Sequence, residues 1–370
     1  MKPKILLAAG GTGGHLFPAE ALATVLMARG CDVELATDHR ALDYGTVFAP
    51  DTVHALAAAT PFAGSPVAKL AALLKLGRGT LAARALIKRL APRCVIGFGG
   101  YPSVPPLLAA TWLKVPTLIH EQNAVMGRAN RFLAGRVTAI ATGFPSLGGV
   151  TAEIRAKSVH TGNPVRPAVV AAAATPFPDF TDGCLRLLVT GGSQGARIMS
   201  DIVPAAVQAM APVVRQQLRI VQQARAEDLE RVKSLYAALG VQAEVAPFFK
   251  DLPARIARAH LVVARAGAST VSELAVIGRP SILVPLPGSL DQDQAANAAW
   301  LGSAKAALVL PQTEFTPNRL ATELLRSLAE ANSLRGAAAA ARALGIADAA
   351  ERLADRVFAV AGLAPVEMHA

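Results

Sequence analysis

Along this chain, short continuous apolar runs alternate with longer stretches whose apolar residues recur every three or four positions. The runs at Lys4 to Ala9, Cys31 to Leu35, Cys94 to Ile96, Pro116 to Ile119 and Val137 to Ala141 are too short for helices and lack the polar alternation of half-exposed strands. They predict strands buried on both faces of a parallel sheet, with helices between them. The turn-rich segment Thr161-Gly162-Asn163-Pro164-Val165-Arg166-Pro167 then interrupts the pattern and marks a link. The pattern restarts with Leu185 to Thr190 and continues near Arg219 to Gln222, Ala243 to Ala246, Leu261 to Ala264 and Ser281 to Val284. The alanine-rich end, from about Gly336 to Val360, predicts helix. Two such series predict an α/β fold of two Rossmann-like domains, spanning 1–163 and 164–340, with 341–370 as a helix returning to the first.

Composition is consistent with this division: 370 residues, 52% of them hydrophobic, suffice for two cores. The three cysteines, Cys31, Cys94 and Cys184, form neither a CxxC nor a Cys/His cluster, so no disulfide framework or zinc site is encoded and a reducing cytoplasm is expected. Glycines interrupt the first apolar stretch too early for a secretory core, and no run approaches a membrane span. A net charge of +11 admits nucleic acid, an anionic membrane face or anionic substrates. With 5% aromatic residues and no pattern of interleaved aromatic and basic residues on a strand, nucleic acid ranks last.

Candidate chemistry sits where strands meet glycines. Gly10-Gly11-Thr12-Gly13-Gly14-His15-Leu16-Phe17-Pro18 follows the first strand and opens a helix. Such a turn brings backbone close to a ligand and aims a helix N-terminus at it, which suits an anionic or strongly polar guest. Its spacing departs from GxGxxG, which weakens a nicotinamide reading. The device returns at Gly191-Gly192-Ser193-Gln194-Gly195-Ala196-Arg197, and a third cluster is Gly97-Phe98-Gly99-Gly100-Tyr101-Pro102-Ser103. Further along, a strand ends in Arg265-Ala266-Gly267-Ala268-Ser269-Thr270-Val271-Ser272-Glu273. Thr270 and Glu273 have capping-box spacing; the alternative is a helix N-terminus that holds a diphosphate while Glu273 accepts ribose hydroxyls. Asp291-Gln292-Asp293-Gln294-Ala295-Ala296-Asn297 offers amides suited to sugar hydroxyls.

Taken together with His120-Glu121-Gln122-Asn123 and Thr161-Gly162-Asn163-Pro164-Val165-Arg166, these segments resemble the MurG family in order and over nearly the whole chain. That family transfers N-acetylglucosamine to lipid I in bacterial peptidoglycan synthesis. The resemblance implies a GT-B glycosyltransferase whose two domains face a cleft: an N-terminal acceptor and membrane-facing domain, and a C-terminal UDP-sugar domain. Thr12, Gly13 and Gly14 would line the donor side, and Asn123 and Arg166 would contact the donor. Ser193 would approach the diphosphate, and Phe249 would give main-chain contacts to uracil. Ala268, Ser269, Thr270, Val271, Ser272 and Glu273 would cradle phosphate and ribose, while Gln294 and Asn297 would read the sugar hydroxyls. Met126, Ala266 and Asp293 stand where the family has proline, serine and histidine.

The implied partners are UDP-N-acetylglucosamine, lipid I and anionic lipids at the cytoplasmic face of the inner membrane, with other cell-wall synthesis proteins as further candidates. No cofactor is implied. Asp291-Gln292-Asp293 reads as DxD, a manganese signature of another glycosyltransferase fold, but it lies in the sugar-reading loop. Charge on the leaving diphosphate can instead be met by backbone N–H groups and helix dipoles. For the base, His15 comes first, because a pKa of about 6.5 suits proton transfer near neutrality; orienting the glycine loop is its structural alternative. Glu121 is second, against a role anchoring the Asn123 loop, and His120 third, against core packing. A UDP-N-acetylglucosamine epimerase of related fold is the competing enzyme, a nicotinamide oxidoreductase is remoter, and a non-enzymatic UDP-sugar binder would bind without turnover. Leu73, Leu74 and Leu76, ringed by Lys69, Lys75 and Arg78, are expected to form a membrane-facing patch, with Trp112 beside Lys114 as a second anchor.

Overall fold

The computed structural model describes residues 2–10, 13–38, 47–59, 66–192, 195–289 and 292–364. The chain divides into two compact units, Met1–Arg166 with Ala347–Ala370, and Pro167–Ile346. The first is built on a parallel sheet of β1 (Lys4–Ala8), β2 (Asp32–Thr37), β3 (Val53–Ala55), β4 (Cys94–Gly97), β5 (Thr117–Glu121), β6 (Ala139–Thr142) and β7 (Ser158–His160), in spatial order β3-β2-β1-β4-β5-β6-β7. The second is built on β8 (Leu185–Thr190), β9 (Leu218–Gln223), β10 (Gln242–Ala246), β11 (Leu261–Ala264), β12 (Ser281–Leu283) and β13 (Ala307–Val309), in order β10-β9-β8-β11-β12-β13.

Both orders are doubly wound. Strand order reverses between β1 and β4 in one unit and between β8 and β11 in the other, so the loops leaving those strands diverge and open a crevice at their C-terminal ends. The glycine turns of the sequence all emerge there: Gly10 after β1, Gly97 to Gly100 at β4, Gly191 after β8 and Gly267 after β11.

Burial explains which strands read as apolar runs. In the first unit Ile5 and Leu7 join Leu16, Leu22 and Leu26 on one sheet face, while Leu6 joins Val104, Leu107 and Ile119 on the other. Three of the four edge strands, β3, β7 and β13, are only half-buried or exposed and carry no such run. The alanine-rich end is two helices, Ala331–Leu344 and Ala349–Ala361. They separate at Gly345, where a Cβ would stand 2.6 Å from the Ala275 carbonyl oxygen. The last helix inserts Leu353, Val357 and Phe358 into the core of the first unit, and Arg29 pairs with its Asp355 at 2.5 Å.

Candidate active site

In the first unit the Gly13–Ala28 helix presents a buried Gly13, an exposed Gly14 and a half-buried His15. Thr12 lies outside the described residues. Gly99 and Gly100 turn beside the imidazole with φ of +85° and +70°. A Cβ on Gly99 would come 3.3 Å from His15 Cδ2, one on Gly100 3.6 Å from Cε1, and one on Gly10 3.5 Å from Nδ1. Three glycines therefore let backbone close around the ring, and two of them hold a conformation that favours glycine.

β5 ends in His120 and Glu121, and neither faces solvent. His120 is fully buried; Gln122 Nε2 donates to its Nδ1 at 3.2 Å and its Nε2 donates to the Gly162 carbonyl at 3.0 Å. Burial drives its pKa down to about 4, so it packs as neutral imidazole. Glu121 Oε1 accepts from the Asn123 backbone N–H at 3.0 Å and from Asn123 Nδ2 at 3.4 Å. Its Oε2 accepts from the Gly127 N–H at 3.0 Å and Asn130 Nδ2 at 2.8 Å. Burial holds this carboxyl above its ordinary range although all four donors pull it down. With both oxygens engaged, Glu121 braces the loop that carries Asn123. Asn130 was not anticipated: it also donates to the His120 carbonyl at 3.2 Å, and its amide nitrogen would lie 3.4 Å from a Cβ on Gly99. It ties the Glu121 cage to the turn that seats His15. The available signal was an asparagine, a poor helix former, inside the helical stretch Arg128–Ala134. Met126 lies fully buried in the adjoining core.

Arg166 stacks over the Phe17 ring at 4.6 Å, one turn before Glu20 on the same helix. Glu20 is 9% exposed. Burial pushes its pKa from 4.5 to about 7, against the opposing pull of the Val47 N–H and the Arg166 charge. Between those two pH values the folded chain holds a proton that the unfolded chain has lost, so this group's contribution to stability is full below pH 4.5 and is lost as pH rises to about 7. The total is roughly 3 kcal/mol. Glu20→Gln is accordingly expected to unfold at a higher temperature than the parent near pH 8 and at the same temperature near pH 4. Parallel melting curves across that range would refute a buried, protonated Glu20.

In the second unit Gly191 closes the turn after β8, where a Cβ would meet the Ala196 nitrogen at 2.1 Å. Ser193 lies outside the described residues. Phe249 is buried, with Arg255 over its ring at 4.2 Å. The helix after β11 runs Ala268–Ile277 with Gly267 as its N-cap and no side-chain cap. Thr270 therefore lies inside the first turn and is not the N-cap that a capping box with Glu273 requires. Ala268, Val271, Ser272 and Glu273 are buried, while Ser269 and Thr270 are half-buried. The turn before this helix is tied to a later helix, Asp293–Ser303, where the sequence suggested a loop: Gln294 Oε1 accepts from the Ala266 N–H at 3.2 Å and the Leu286 N–H at 3.0 Å, and Asn297 Nδ2 donates to the Ala266 carbonyl at 3.1 Å. Asn297 is fully buried, so its side chain braces this turn. Gln294 keeps its amide nitrogen for another partner. Asp293 Oδ1 accepts from the Gln294 N–H at 2.8 Å, and Asp291 lies outside the described residues. Buried Arg265, also unanticipated, holds the Val284 and Pro285 carbonyls at 3.1 Å each and Gln312 Oε1 at 2.6 Å.

The Pro66–Leu90 helix carries the apolar patch. Leu70, Leu73, Leu74 and Leu81 are 57–63% exposed, as is Trp112 at 60%, with Lys69, Lys75 and Arg78 exposed among them. Leu76 departs from expectation. Its helical phase turns it inward, where it packs against the core with Leu86 and Ile87. Among the described residues no helix is long and apolar enough to cross a membrane.

Residues 5–142 match the glycosyltransferase family 28 N-terminal domain, and residues 186–353 match the family 28 C-terminal domain. A relative from Methylobacterium nodulans, 61% identical with 97% of each chain covered, is named UDP-N-acetylglucosamine–N-acetylmuramyl-(pentapeptide) pyrophosphoryl-undecaprenol N-acetylglucosamine transferase. The crystal structure of Acinetobacter baumannii MurG superposes with a TM-score of 0.77 at 30% identity, covering 96% of this chain and 99% of that one. The chain belongs to the MurG family of glycosyltransferases. Its fold is GT-B. A UDP-N-acetylglucosamine 2-epimerase structure shares that fold with a TM-score of 0.63 at 13% identity, covering 98% of this chain and 97% of that chain. At that distance the likeness concerns architecture alone.

Proposed function

We propose that this chain transfers N-acetylglucosamine from UDP-N-acetylglucosamine to the C4 hydroxyl of the muramyl sugar of lipid I, with inversion to a β linkage, giving lipid II for peptidoglycan synthesis. The observation that carries this reading is 61% identity over 97% of both chains to a transferase named for that reaction. The acceptor hydroxyl attacks the anomeric carbon, and UDP leaves from the opposite face. His15 takes the proton as general base. Its seat among Gly10, Gly99 and Gly100 supports this, since a ring held by close backbone is oriented before substrate arrives.

The uncapped start of the Ala268–Ile277 helix suits the leaving diphosphate. A helix N-terminus contributes up to about 2 kcal/mol to a partly buried anion, and each hydrogen bond to charge roughly 1.5–3 kcal/mol. Ala268, Ser269, Thr270, Val271 and Ser272 cradle phosphate, and Ser193 approaches the diphosphate; Glu273 accepts the ribose hydroxyls, and the Phe249 main chain meets uracil. Thr12, Gly13 and Gly14 line the donor side. Gln294 donates its remaining N–H groups to the sugar, from the start of the Asp293–Ser303 helix that Asn297 braces. Arg166 and Asn123 contact the donor, Asn123 through a loop held by Glu121. The test is incubation with labelled UDP-N-acetylglucosamine and a lipid I analogue. A β-linked disaccharide product is expected, and unchanged donor when acceptor is omitted. Conversion of donor to a C2 epimer without acceptor would replace this reading with the epimerase.

Because the acceptor's lipid stays in the bilayer, the protein docks peripherally at the cytoplasmic face of the inner membrane. The exposed leucines and Trp112 support this, with about 1 kcal/mol of attraction per basic residue near an anionic surface. Leu73→Ser with Leu74→Ser is expected to weaken sedimentation with anionic vesicles by about thirtyfold, or roughly 2 kcal/mol, at an unchanged melting temperature. Leu76→Ser is expected to lower the melting temperature instead. Vesicle binding that survives the double substitution would remove this face from the docking surface.

A further inference from the structure

Across β8, β9 and β10 the first residues of three adjacent strands line a cavity of about 640 Å³. Alternation sends Leu185, Leu187, Leu218, Ile220 and Val245 into the core on one face and leaves Arg186, Leu188, Arg219, Val221 and Glu244 for the other. The Leu252–Arg258 helix flanks the cavity and adds Arg255 and Arg258. The parallel register sets two rows: Arg186 beside Arg219 beside Gln242, then Leu188 beside Val221 beside Glu244. Neighbouring strands lie about 4.8 Å apart, and like charges directly opposite one another are destabilising. An anion across Arg186 and Arg219 removes that repulsion.

The chain supplies only part of the answering charge. Arg186 pairs with Asp182 at 2.6 Å, and Arg255 with Glu244 at 2.6 Å and Asp251 at 2.7 Å. Arg219 donates to two backbone carbonyls, Gln216 at 2.7 Å and Leu218 at 3.1 Å. Among the described residues no carboxylate forms an ion pair with Arg219 or Arg258. The existing pairs are open to exchange, since Asp182 is 44% and Glu244 57% exposed and exposed pairs contribute little. Guanidinium forks suit planar oxyanions, half-buried Val221 and the aliphatic stems of the arginines offer an apolar surface, and the volume is that of a small-molecule site. The cavity also lies at the starts of β8 to β10, whereas the glycine turns leave the ends of β8 and β11.

We propose that this cavity is a second ligand site, separate from the donor site, that takes a small organic oxyanion: a phosphate or carboxylate across Arg186 and Arg219, carried on a compact apolar body over Val221 and the arginine stems. The test is calorimetric titration of the full chain with 1-naphthyl phosphate and with 1-naphthoate, in saturating UDP so that the nucleotide site is filled. Saturable binding of either is expected, with the tighter of the two identifying the oxyanion as phosphate or carboxylate. Arg219→Gln and Arg258→Gln should each weaken it about tenfold while melting temperature, UDP affinity and transferase activity stay at the parent values. Inorganic phosphate, lacking the apolar body, should bind at least about tenfold more weakly. The proposal is overturned by absence of binding once UDP is saturating, by unchanged affinity in both variants, or by inorganic phosphate binding as tightly as the naphthyl compounds. Tighter binding of a glutamate-rich hexapeptide would make the groove a polypeptide dock and equally overturn it.

Discussion

Replacing His15 by alanine is expected to lower turnover by roughly 10²–10⁴ while UDP-N-acetylglucosamine affinity changes by less than about threefold. A general base acts on the proton that moves in the transition state, so its loss falls on the chemical step. The fold should tolerate the change. The ring is half-buried at the start of a helix, and alanine is a good helix former. The packing around the ring points the same way: Gly10, Gly99 and Gly100 approach the imidazole through backbone, so removing the ring leaves a gap and forces no backbone out of place. Pre-steady-state measurement of the transfer step beside calorimetric donor binding gives the answer. Equal losses in donor affinity and in turnover would make His15 a positioning residue, and near-normal turnover would remove it from the active site.

What could be read from the sequence follows from where burial is two-sided. β1, β4 and β11 announce themselves because both faces are covered, so no polar residue interrupts Ile5-Leu6-Leu7 or Leu261-Val262-Val263. These central strands border the switch points, so the glycine turns around the candidate site were found with them. β3, β7 and β13 are edge strands with one neighbour each, and Val53-His54-Ala55 or Ser158-Val159-His160 carries no periodic signal in three residues. Phase on a long helix is equally hard to read without its neighbours. Leu73, Leu74 and Leu76 look alike in sequence, yet the adjoining core covers only Leu76. The capping-box reading of Thr270 and Glu273 failed because Gly267 already starts the helix, which puts Thr270 one turn too deep. Asn130 is nine residues from Glu121 in sequence, and only the fold brings its amide to the carboxylate.

Glu121→Gln is the second large effect, and it is expected in stability first. Each carboxylate oxygen accepts two hydrogen bonds, Oε1 from the backbone and side chain of Asn123, Oε2 from Gly127 and Asn130. Glutamine keeps the volume but presents one oxygen and one NH₂. Whichever way the amide turns, a donor then faces two donors inside a site that is 2% exposed. Leaving buried donors unsatisfied costs about 1–3 kcal/mol each, so a loss of roughly 3 kcal/mol is expected, read as a lowered denaturation midpoint at unchanged m-value. Activity should fall with it, mainly as a raised KM for donor, because the released loop carries Asn123. A general base at this position predicts the reverse: a normal denaturation midpoint, an unchanged KM and a collapse of kcat alone. The two readings therefore separate in a single variant, and only the cage predicts that Asn130→Leu reproduces the stability loss, since that substitution removes the shortest of the four bonds, the 2.8 Å contact to Oε2.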